Sequence, residues 1–332
     1  MPAICAVEWG YNQFNKDNPN TQERIVNQAT TRTISAGVSL PLVGFGTYLI
    51  PDEEAADIVQ GAVTAGYRHV DTAEGYNNEV GVGNGIRRAL GHLGLGREDI
   101  FVTTKLWPGN PAWGSPIKGR DDIMASFEAS LHRLDMEYVD LYMIHAPFAG
   151  ERRVEQWEVL VDLKEKGLSR SVGVSNFNED HILELERAGL PLPDINQIEL
   201  HPWSQKPDLV AFMLENGIQP IAYSSLVPLS TWRTKEGENS AKTEEMVKAG
   251  AHEDSPFKEM AARYGVTEAQ VLLRWAVQKG YAVLPKSSNP ERIKANFDLF
   301  SFEISAEDME AMAGMDRGDG VAWAVGDPTK AE

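Results

Sequence analysis

Residues 139–177, VDLYMIHAPFAGERRVEQWEVLVDLKEKGLSRSVGVSNF, contain a complete strand–helix–strand pattern. The apolar run Val139–Ile144 has the length of a buried strand, and Val154–Lys166 has helical periodicity. A second short run, Ser171–Val174, follows. Two strands joined by a helix form a βαβ unit, whose strands lie parallel. The stretch therefore predicts part of a parallel α/β sheet.

The same alternation extends along most of the chain. Eight short apolar runs are separated mostly by one helical pattern each: Val43–Phe45, His69–Asp71, Phe101–Thr104, Val139–Ile144, Ser171–Val174, Ile195–Glu199, Gln219–Tyr223 and Tyr281–Pro285. Eight βα units favour a (β/α)8 TIM barrel of the α/β class. The rival is an open doubly wound sheet with a small second domain. Against it, no G-x-G-x-x-G follows an early strand, and the glycine-rich stretch 81–85 lies inside a helical pattern.

The two ends of the chain carry additions to this barrel. Residues 1–30 are polar and predict an N-terminal extension, and Thr31–Leu40 predicts a β-hairpin that turns at Ala36-Gly37. Ser305 and Asp308 form a capping-box pattern that opens an extra C-terminal helix. The predicted organisation is a single barrel domain over 31–332.

Composition excludes several classes of protein. Of 332 residues, 42% are hydrophobic and 24% charged, which is typical of a globular chain. The net charge of −18 argues against nucleic acid as a partner. No apolar run is long enough to span a membrane, and Met1–Asn20 lacks the pattern of a secretory signal. A single cysteine, Cys5, excludes an intramolecular disulfide and a cysteine-based zinc site. We expect a cytoplasmic protein without a bound metal.

Chemically useful residues follow the predicted strands. Chemistry in (β/α)8 barrels is located at the carboxyl ends of the strands. Asp71 ends the second strand and Tyr76 follows it, Lys105 ends the third, and His145 ends the fourth. Together they place a carboxylate, a phenol, an ammonium and an imidazole around one rim.

These motifs give the chain a specific resemblance. It resembles the aldo-keto reductase superfamily over about residues 31–315, in stretches that occur in family order: 44–47 (GFGT), 71–76 (DTAEGY), 104–107 (TKLW), 144–147 (IHAP), 173–177 (GVSNF), 196–199 (NQIE) and 284–287 (LPKS), followed by Arg292 and Asn296. The resemblance implies a barrel that reduces small carbonyl substrates with a nicotinamide cofactor. It also implies a monomer or weak homodimer, and a catalytic tetrad of Asp71, Tyr76, Lys105 and His145.

The physical chemistry of carbonyl reduction suits that tetrad. The carbonyl oxygen gains negative charge as hydride arrives, so it needs a proton donor and a polarising hydrogen bond. A free tyrosine, with a pKa of about 10, is a weak acid at neutral pH, and a nearby ammonium favours its phenolate. Lys105 can supply that charge and Asp71 can hold Lys105 in place. Tyr76 is then the general acid, and His145 orients the carbonyl.

The resemblance also implies a cofactor site. Tyr223 would stack on the nicotinamide, Ser175, Asn176 and Gln197 would hold its carboxamide, and Asn296 would contact the adenine. Lys286, Ser287 and Arg292 would hold a 2′-phosphate, which favours NADPH over NADH because Arg and Lys are suited to phosphate. The remaining residues assigned to cofactor binding are Gly46, Thr47, Ser224, Leu226 and Ser288.

Departures from the family pattern leave the substrate open. The family commonly has Trp directly after the catalytic His, where this chain has Ala146, so the pocket wall there should be smaller or filled from elsewhere. Tyr48 and Trp107 are predicted walls of the pocket, with Trp232 or Trp323 as further candidates. The polar stretch 226–254 predicts a loop that closes over the site.

Two alternative functions remain. A cofactor-binding sensor or regulatory subunit with little turnover would share the tetrad. A different barrel enzyme, such as an aldolase, would use Lys105 as a Schiff base.

Overall fold

Eight parallel strands form the central sheet. The computed structural model describes residues 30–229, 256–323 and 326–331. Neighbouring strands pair in chain order: β3 (Phe45–Gly46), β4 (His69–Asp71), β5 (Phe101–Leu106), β6 (Val139–Ile144), β7 (Ser169–Ser175), β8 (Ile195–Glu199), β9 (Gln219–Tyr223) and β10 (Ala282–Val283). The pairing is parallel throughout, as the strand–helix–strand pattern predicts.

The sheet closes between its first and last strands. Val43 and Val283 form a parallel bridge. Gly44 N–H donates to Val283 O at 2.8 Å, and Gly46 N–H donates to Pro285 O at 3.1 Å. A Cβ on Gly44 would lie 2.5 Å from the ring of His69, so only glycine allows this close approach. The predicted (β/α)8 barrel is confirmed.

Ten α-helices lie in the described ranges. They are α1 (Asp52–Thr64), α2 (Glu79–Leu93), α3 (Arg120–Leu134), α4 (Arg153–Glu165), α5 (Glu179–Arg187), α6 (Pro207–Glu215), α7 (Pro256–Tyr264), α8 (Glu268–Gln278), α9 (Pro290–Phe297) and α10 (Ala306–Ala313). Apolar residues on these helices are buried against the barrel, and the side chains of Trp157 and Trp275 are fully buried. Thr267 and Asn178 cap α8 and α5 as predicted.

The predicted hairpin and the extra C-terminal helix are present, whereas one predicted capping box and two barrel strands differ in detail. β1 (Thr31–Ser35) and β2 (Val38–Pro41) form the antiparallel hairpin, and α10 is the extra helix. Ser305 accepts the Asp308 N–H at 3.1 Å, but the Asp308 carboxylate accepts from Arg263 and Tyr264 instead of completing a capping box. The first and last barrel strands, predicted as Val43–Phe45 and Tyr281–Pro285, are only two residues long because their pairing consists of one bridge and a few hydrogen bonds.

Some predicted features fall outside the described residues: residues 1–29, Trp232 and most of the predicted loop 226–254. Among the residues described, no helix is long and apolar enough to span a membrane.

Candidate active site

A cavity of about 740 Å³ opens at the carboxyl ends of the barrel strands. Its lining brings together most of the residues predicted for the site: Gly46, Thr47, Tyr48, Asp71, Tyr76, Trp107, His145, Ser175, Asn176, Gln197, Tyr223, Ser224, Leu226, Lys286, Ser287, Ser288, Arg292 and Trp323. They come from distant parts of the chain because parallel strands end at the same rim. The structure therefore brings most of the predicted residues together around one cavity.

Lys105 lies directly behind this lining. Its side chain is fully buried, and its Nζ donates to Asp71 Oδ1 at 2.5 Å, to Thr72 O at 2.9 Å and to the Tyr76 hydroxyl at 3.3 Å. Burial lowers the pKa of Lys105, whereas the Asp71 carboxylate acts to raise it. With all three donors used and no surface exposed, the amine is poorly placed for attack on a substrate carbonyl. The arrangement disfavours the Schiff-base alternative.

Asp71 is held from both sides. Besides its contact with Lys105, it accepts a hydrogen bond from Gln197 Nε2 at 2.9 Å through Oδ2. Both oxygens of this buried carboxylate therefore have partners, as a buried charge requires. Gln197 was predicted as a cofactor residue, and the structure shows that it also orients Asp71.

His145 stands next to the Tyr76 hydroxyl. Its Nε2 lies 3.5 Å from that oxygen, and the two rings meet edge to face with centroids 5.4 Å apart. Burial, reinforced by the positive charge of Lys105, lowers the pKa of His145 well below its usual value. Both effects favour the neutral imidazole. Two hydrogen-bonding groups, the phenol and the imidazole, thus face the same part of the cavity.

Side chains at the ends of β7, β8 and β9 form a connected network. Tyr223 Oη donates to Asn176 Oδ1 at 2.7 Å, and Asn176 Nδ2 donates to His145 O at 3.1 Å and to Ser175 Oγ at 3.0 Å. Ser175 Oγ donates to Gln197 O at 2.8 Å. Asn176 has a φ of 65° and Ser224 a φ of 54°, in the left-handed region, where strained residues often mark functional sites. The network fixes the polar wall of the cavity.

Two cationic side chains, Lys286 and Arg292, also line the cavity. Lys286 follows β10, and Arg292 lies in the first turn of α9, where its Nε donates to Ser287 Oγ at 3.3 Å. Within the described ranges, neither cation forms an ion pair with a carboxylate. Partial burial and the charge of Arg292 lower the pKa of Lys286. Two neighbouring cations without a counter-charge form a site suited to a phosphate.

Besides Lys105, which lies behind the lining, two further predicted site residues lie outside it. Ala146 is fully buried, so the prediction that it lines the substrate pocket is wrong geometrically; the small side chain points into packed protein. Asn296 is buried on α9, one turn beyond Arg292, and is not part of the lining either.

Tryptophans line the cavity beside His145. Trp323 is edge-on to His145 with centroids 6.3 Å apart, and its indole N–H donates to Tyr223 Oη at 2.9 Å. The wall near Ala146 is thus supplied from elsewhere, as the sequence allowed. Trp113 also lines the cavity and was missed by sequence reasoning. One indication of its role was present in the sequence, because Trp113 follows Trp107 in the same loop after β5.

The segment that carries Trp323 is anchored by a buried carboxylate. Glu199, at the end of β8, accepts from Val321 N–H at 2.8 Å and from Ala322 N–H at 2.7 Å. His201 Nε2 lies 2.8 Å from the same carboxylate. Lys206 and Asp327 form a further contact between the barrel and this segment. These contacts hold the segment that carries Trp323 against the barrel.

Comparison with known proteins agrees with this geometry. A sequence profile of the Aldo/keto reductase family matches residues 42–317. An aldo-keto reductase of Mycolicibacterium smegmatis is 38% identical over 288 residues, which are 86% of this chain and 93% of that protein. A probable NAD(P)H-dependent D-xylose reductase of Aspergillus flavus is 34% identical over 312 residues, covering 87% of this chain and 94% of its own. The crystal structure of a Bombyx mori aldo-keto reductase in complex with NADP has a TM-score of 0.74 at 32% identity, with 86% and 92% coverage. The chain belongs to the aldo/keto reductase family.

Proposed function

We propose that the protein is an NADPH-dependent reductase that converts aldehydes or ketones to alcohols. The observation that carries the proposal is the hydrogen-bonded series from Asp71 through Lys105 to the Tyr76 hydroxyl, with His145 3.5 Å from that hydroxyl. This series combines a proton donor, a charge that tunes it and a second hydrogen-bonding group at one point of a cavity.

The residues present fit a phosphorylated nicotinamide cofactor. Lys286 and Arg292 both line the cavity, and burial together with the charge of Arg292 lowers the pKa of Lys286. A phosphate would relieve the repulsion between the two cations. We assign the 2′-phosphate of NADPH to these cations and to Ser287. The ring of Tyr223 is held by Asn176 and Trp323, and we assign it to stacking on the nicotinamide.

Further cofactor contacts follow from the lining. We assign the nicotinamide carboxamide to Ser175, Asn176 and Gln197, whose amide and hydroxyl groups supply both donors and acceptors. The more distant parts of the cofactor are assigned to Gly46, Thr47, Ser224, Leu226 and Ser288. We assign Asn296 to the adenine because it lies on α9, one turn after Arg292.

Three side chains of the tetrad are proposed to control proton donation to the substrate. When bound, NADPH supplies the hydride to the carbonyl carbon. Tyr76 donates its hydroxyl proton to the carbonyl oxygen as negative charge grows there. Lys105 makes that donation easier because an ammonium 3.3 Å away stabilises the phenolate left behind. Asp71 keeps Lys105 in position and charged.

His145 acts as a neutral hydrogen-bond donor. We assign its proton to Nε2, the nitrogen nearer to Tyr76, because a donor there would polarise a carbonyl oxygen lying between the two side chains. Its lowered pKa keeps the ring uncharged, so it does not compete with Tyr76 as the proton source. The pair resembles a small oxyanion site of one phenol and one imidazole.

The test is to follow NADPH absorbance with a panel of aldehydes, ketones, dicarbonyls, keto lactones and aldoses. Tyr76→Phe is the control, because it removes the proton donor and keeps the ring. Turnover by the native protein that is lost in the variant supports the proposal. Tight NADPH binding without turnover of any substrate would contradict it and favour the sensor alternative.

A further inference from the structure

Three tryptophans form one continuous surface inside the cavity, here called the tryptophan wall: Trp107, Trp113 and Trp323. The Trp107 and Trp113 rings are nearly parallel, with centroids 5.7 Å apart and 12° between planes. Trp113 and Trp323 are also stacked, at 6.2 Å and 24°. Three indoles in similar orientation present a broad aromatic surface to the cavity.

The wall begins next to the proposed reacting group. The His145 ring is edge-on to Trp107 at 5.9 Å and to Trp323 at 6.3 Å. Tyr48, which also lines the cavity, packs on Tyr76 with centroids 5.0 Å apart. A substituent attached to a carbonyl at Tyr76 and His145 therefore meets aromatic surface at once.

Phe148 supports the wall from outside the lining. Its ring lies edge-on to all three tryptophans, with centroid distances of 6.0, 5.5 and 5.9 Å to Trp107, Trp113 and Trp323. Such edge-to-face contacts add stability beyond buried area and fix ring orientation. The wall is thus held in place by a packed aromatic neighbour.

The wall offers few polar groups to a ligand. The Trp107 indole N–H donates to Ser115 Oγ at 3.1 Å, and the Trp323 indole N–H donates to Tyr223 Oη at 2.9 Å. Trp113 is 46% exposed and lies towards solvent. Two of the three indole donors are therefore committed to protein acceptors, and the ring edges and the parts of the ring faces that stacking leaves uncovered remain as the contact surface.

Few charged groups occur in the described lining. Asp71 is held by Lys105 and Gln197, and Lys286 and Arg292 are assigned to the cofactor phosphate. A carboxylate or a row of hydroxyls against the wall would lose hydration without gaining partners. An aromatic group would gain stacking and edge-to-face contacts.

We propose that the preferred substrates are uncharged aromatic aldehydes or ketones, with the tryptophan wall as the specificity determinant. This inference rests on the proposed reductase function and deepens it. It predicts poor use of carboxylated carbonyls and of aldoses, although one relative is named as a probable D-xylose reductase.

The experiment compares two substrates of matched size and reactivity. Methyl 4-formylbenzoate and 4-formylbenzoate differ mainly in charge, and kcat/KM is measured for each with NADPH. Salt at about 0.15 M screens the long-range repulsion of an acidic surface to within about 8 Å, so the comparison reports the local site. We expect kcat/KM for the ester to exceed that for the carboxylate at least about tenfold, because burying a charged group without a partner in an apolar site is unfavourable.

A second comparison isolates the aromatic wall. For the native protein, kcat/KM for 2-naphthaldehyde should exceed that for glyceraldehyde by about 100-fold. Trp113→Leu should lower this ratio about tenfold, and Trp113→Phe should recover part of it. Phe300→Leu is the matched control because Phe300 is also exposed, at 41%, and lies outside the cavity. That control should leave the ratio unchanged.

Binding measurements separate this inference from the proposed function. Calorimetry compares 2-naphthalenemethanol with glycerol on the NADP⁺-loaded protein. Selective binding of the aromatic alcohol, lost in Trp113→Leu, supports the wall even where no aldehyde is turned over. Equal kcat/KM for ester and carboxylate, or a naphthaldehyde ratio that Trp113→Leu leaves intact, would overturn the inference while leaving reductase activity established.

Discussion

Replacing Lys105 with methionine removes the charge beside the proposed proton donor and preserves most of the volume of the side chain. Lys105 Nζ lies 3.3 Å from the Tyr76 hydroxyl oxygen. At an effective dielectric constant of about 20, a phenolate at that distance would be stabilised by about 5 kcal/mol. The Asp71 carboxylate, 2.5 Å from Nζ, offsets part of this, so the figure is an upper bound.

The expected loss of activity follows from that energy. If roughly half is expressed in the transition state, the barrier rises by about 2.5 kcal/mol, which lowers kcat/KM about 70-fold. The assay is NADPH-dependent reduction of an aldehyde between about pH 6 and 10, a range that extends to the ordinary pKa of tyrosine. Reduction needs Tyr76 protonated, and removing the ammonium favours the protonated form. The alkaline limb of the profile should therefore move to higher pH in the variant.

Two controls separate catalysis from stability. Lys105→Met leaves Asp71 as a buried charge without its cation, so the double variant with Asp71→Asn, which removes both charges, should be the better folded of the two. Lys164→Met is a matched loss of a lysine paired with a carboxylate, Asp194 at 2.6 Å, and should keep native kinetics. A Lys105→Met protein with kcat/KM within threefold of native and an unmoved alkaline limb would refute the reasoning.

Three further perturbations test other parts of the structure. Lys286→Ala should weaken NADPH binding about tenfold or more and NADH binding little, measured by fluorescence titration; equal weakening would remove the phosphate assignment. Glu199→Gln should release Trp323 and lower kcat/KM for aromatic aldehydes, and it should weaken NADPH binding less than Lys286→Ala does because Tyr223 keeps its hydrogen bond to Asn176; unaltered kinetics would show that the anchor is dispensable. The pKa of His181 is lowered to about 4, mainly by burial. An imidazole in the unfolded chain titrates near pH 6.5, so the free energy of unfolding measured with urea should fall as the pH is lowered from 6.5 to about 4. His181→Gln should reduce this dependence of the free energy on pH, and an unchanged dependence would contradict the prediction.

Much of the fold was predictable because its signals are local. Apolar runs such as Val139–Ile144 and the caps Asn178 and Thr267 depend on neighbouring residues, and the structure confirms them. The first and last strands were harder, because their length is set by barrel closure between residues more than 200 positions apart. Periodicity carries no information about such a contact.

The site was predictable only where strand ends define it. Asp71, Tyr76 and His145 follow the carboxyl ends of parallel strands, which all lie at the same end of the barrel. The structure places the three side chains around one cavity. The aromatic wall depends on loops and on the C-terminal segment, whose positions follow from contacts such as Glu199 with Ala322. Nothing in local sequence indicates those contacts, so Trp113 was missed and Ala146 was misplaced. The roles of these residues in catalysis and binding stay predictions.

The central claim is that Tyr76 donates the proton within a cofactor-loaded reductase. The most direct measurement pairs kcat/KM for an aromatic aldehyde with the Kd of NADPH, for the native protein and for Tyr76→Phe. We predict that kcat/KM falls by about 10²–10⁴-fold, the usual contribution of a general acid, while the Kd changes less than about twofold. A variant that keeps native kcat/KM, or that loses NADPH binding together with turnover, would contradict the account.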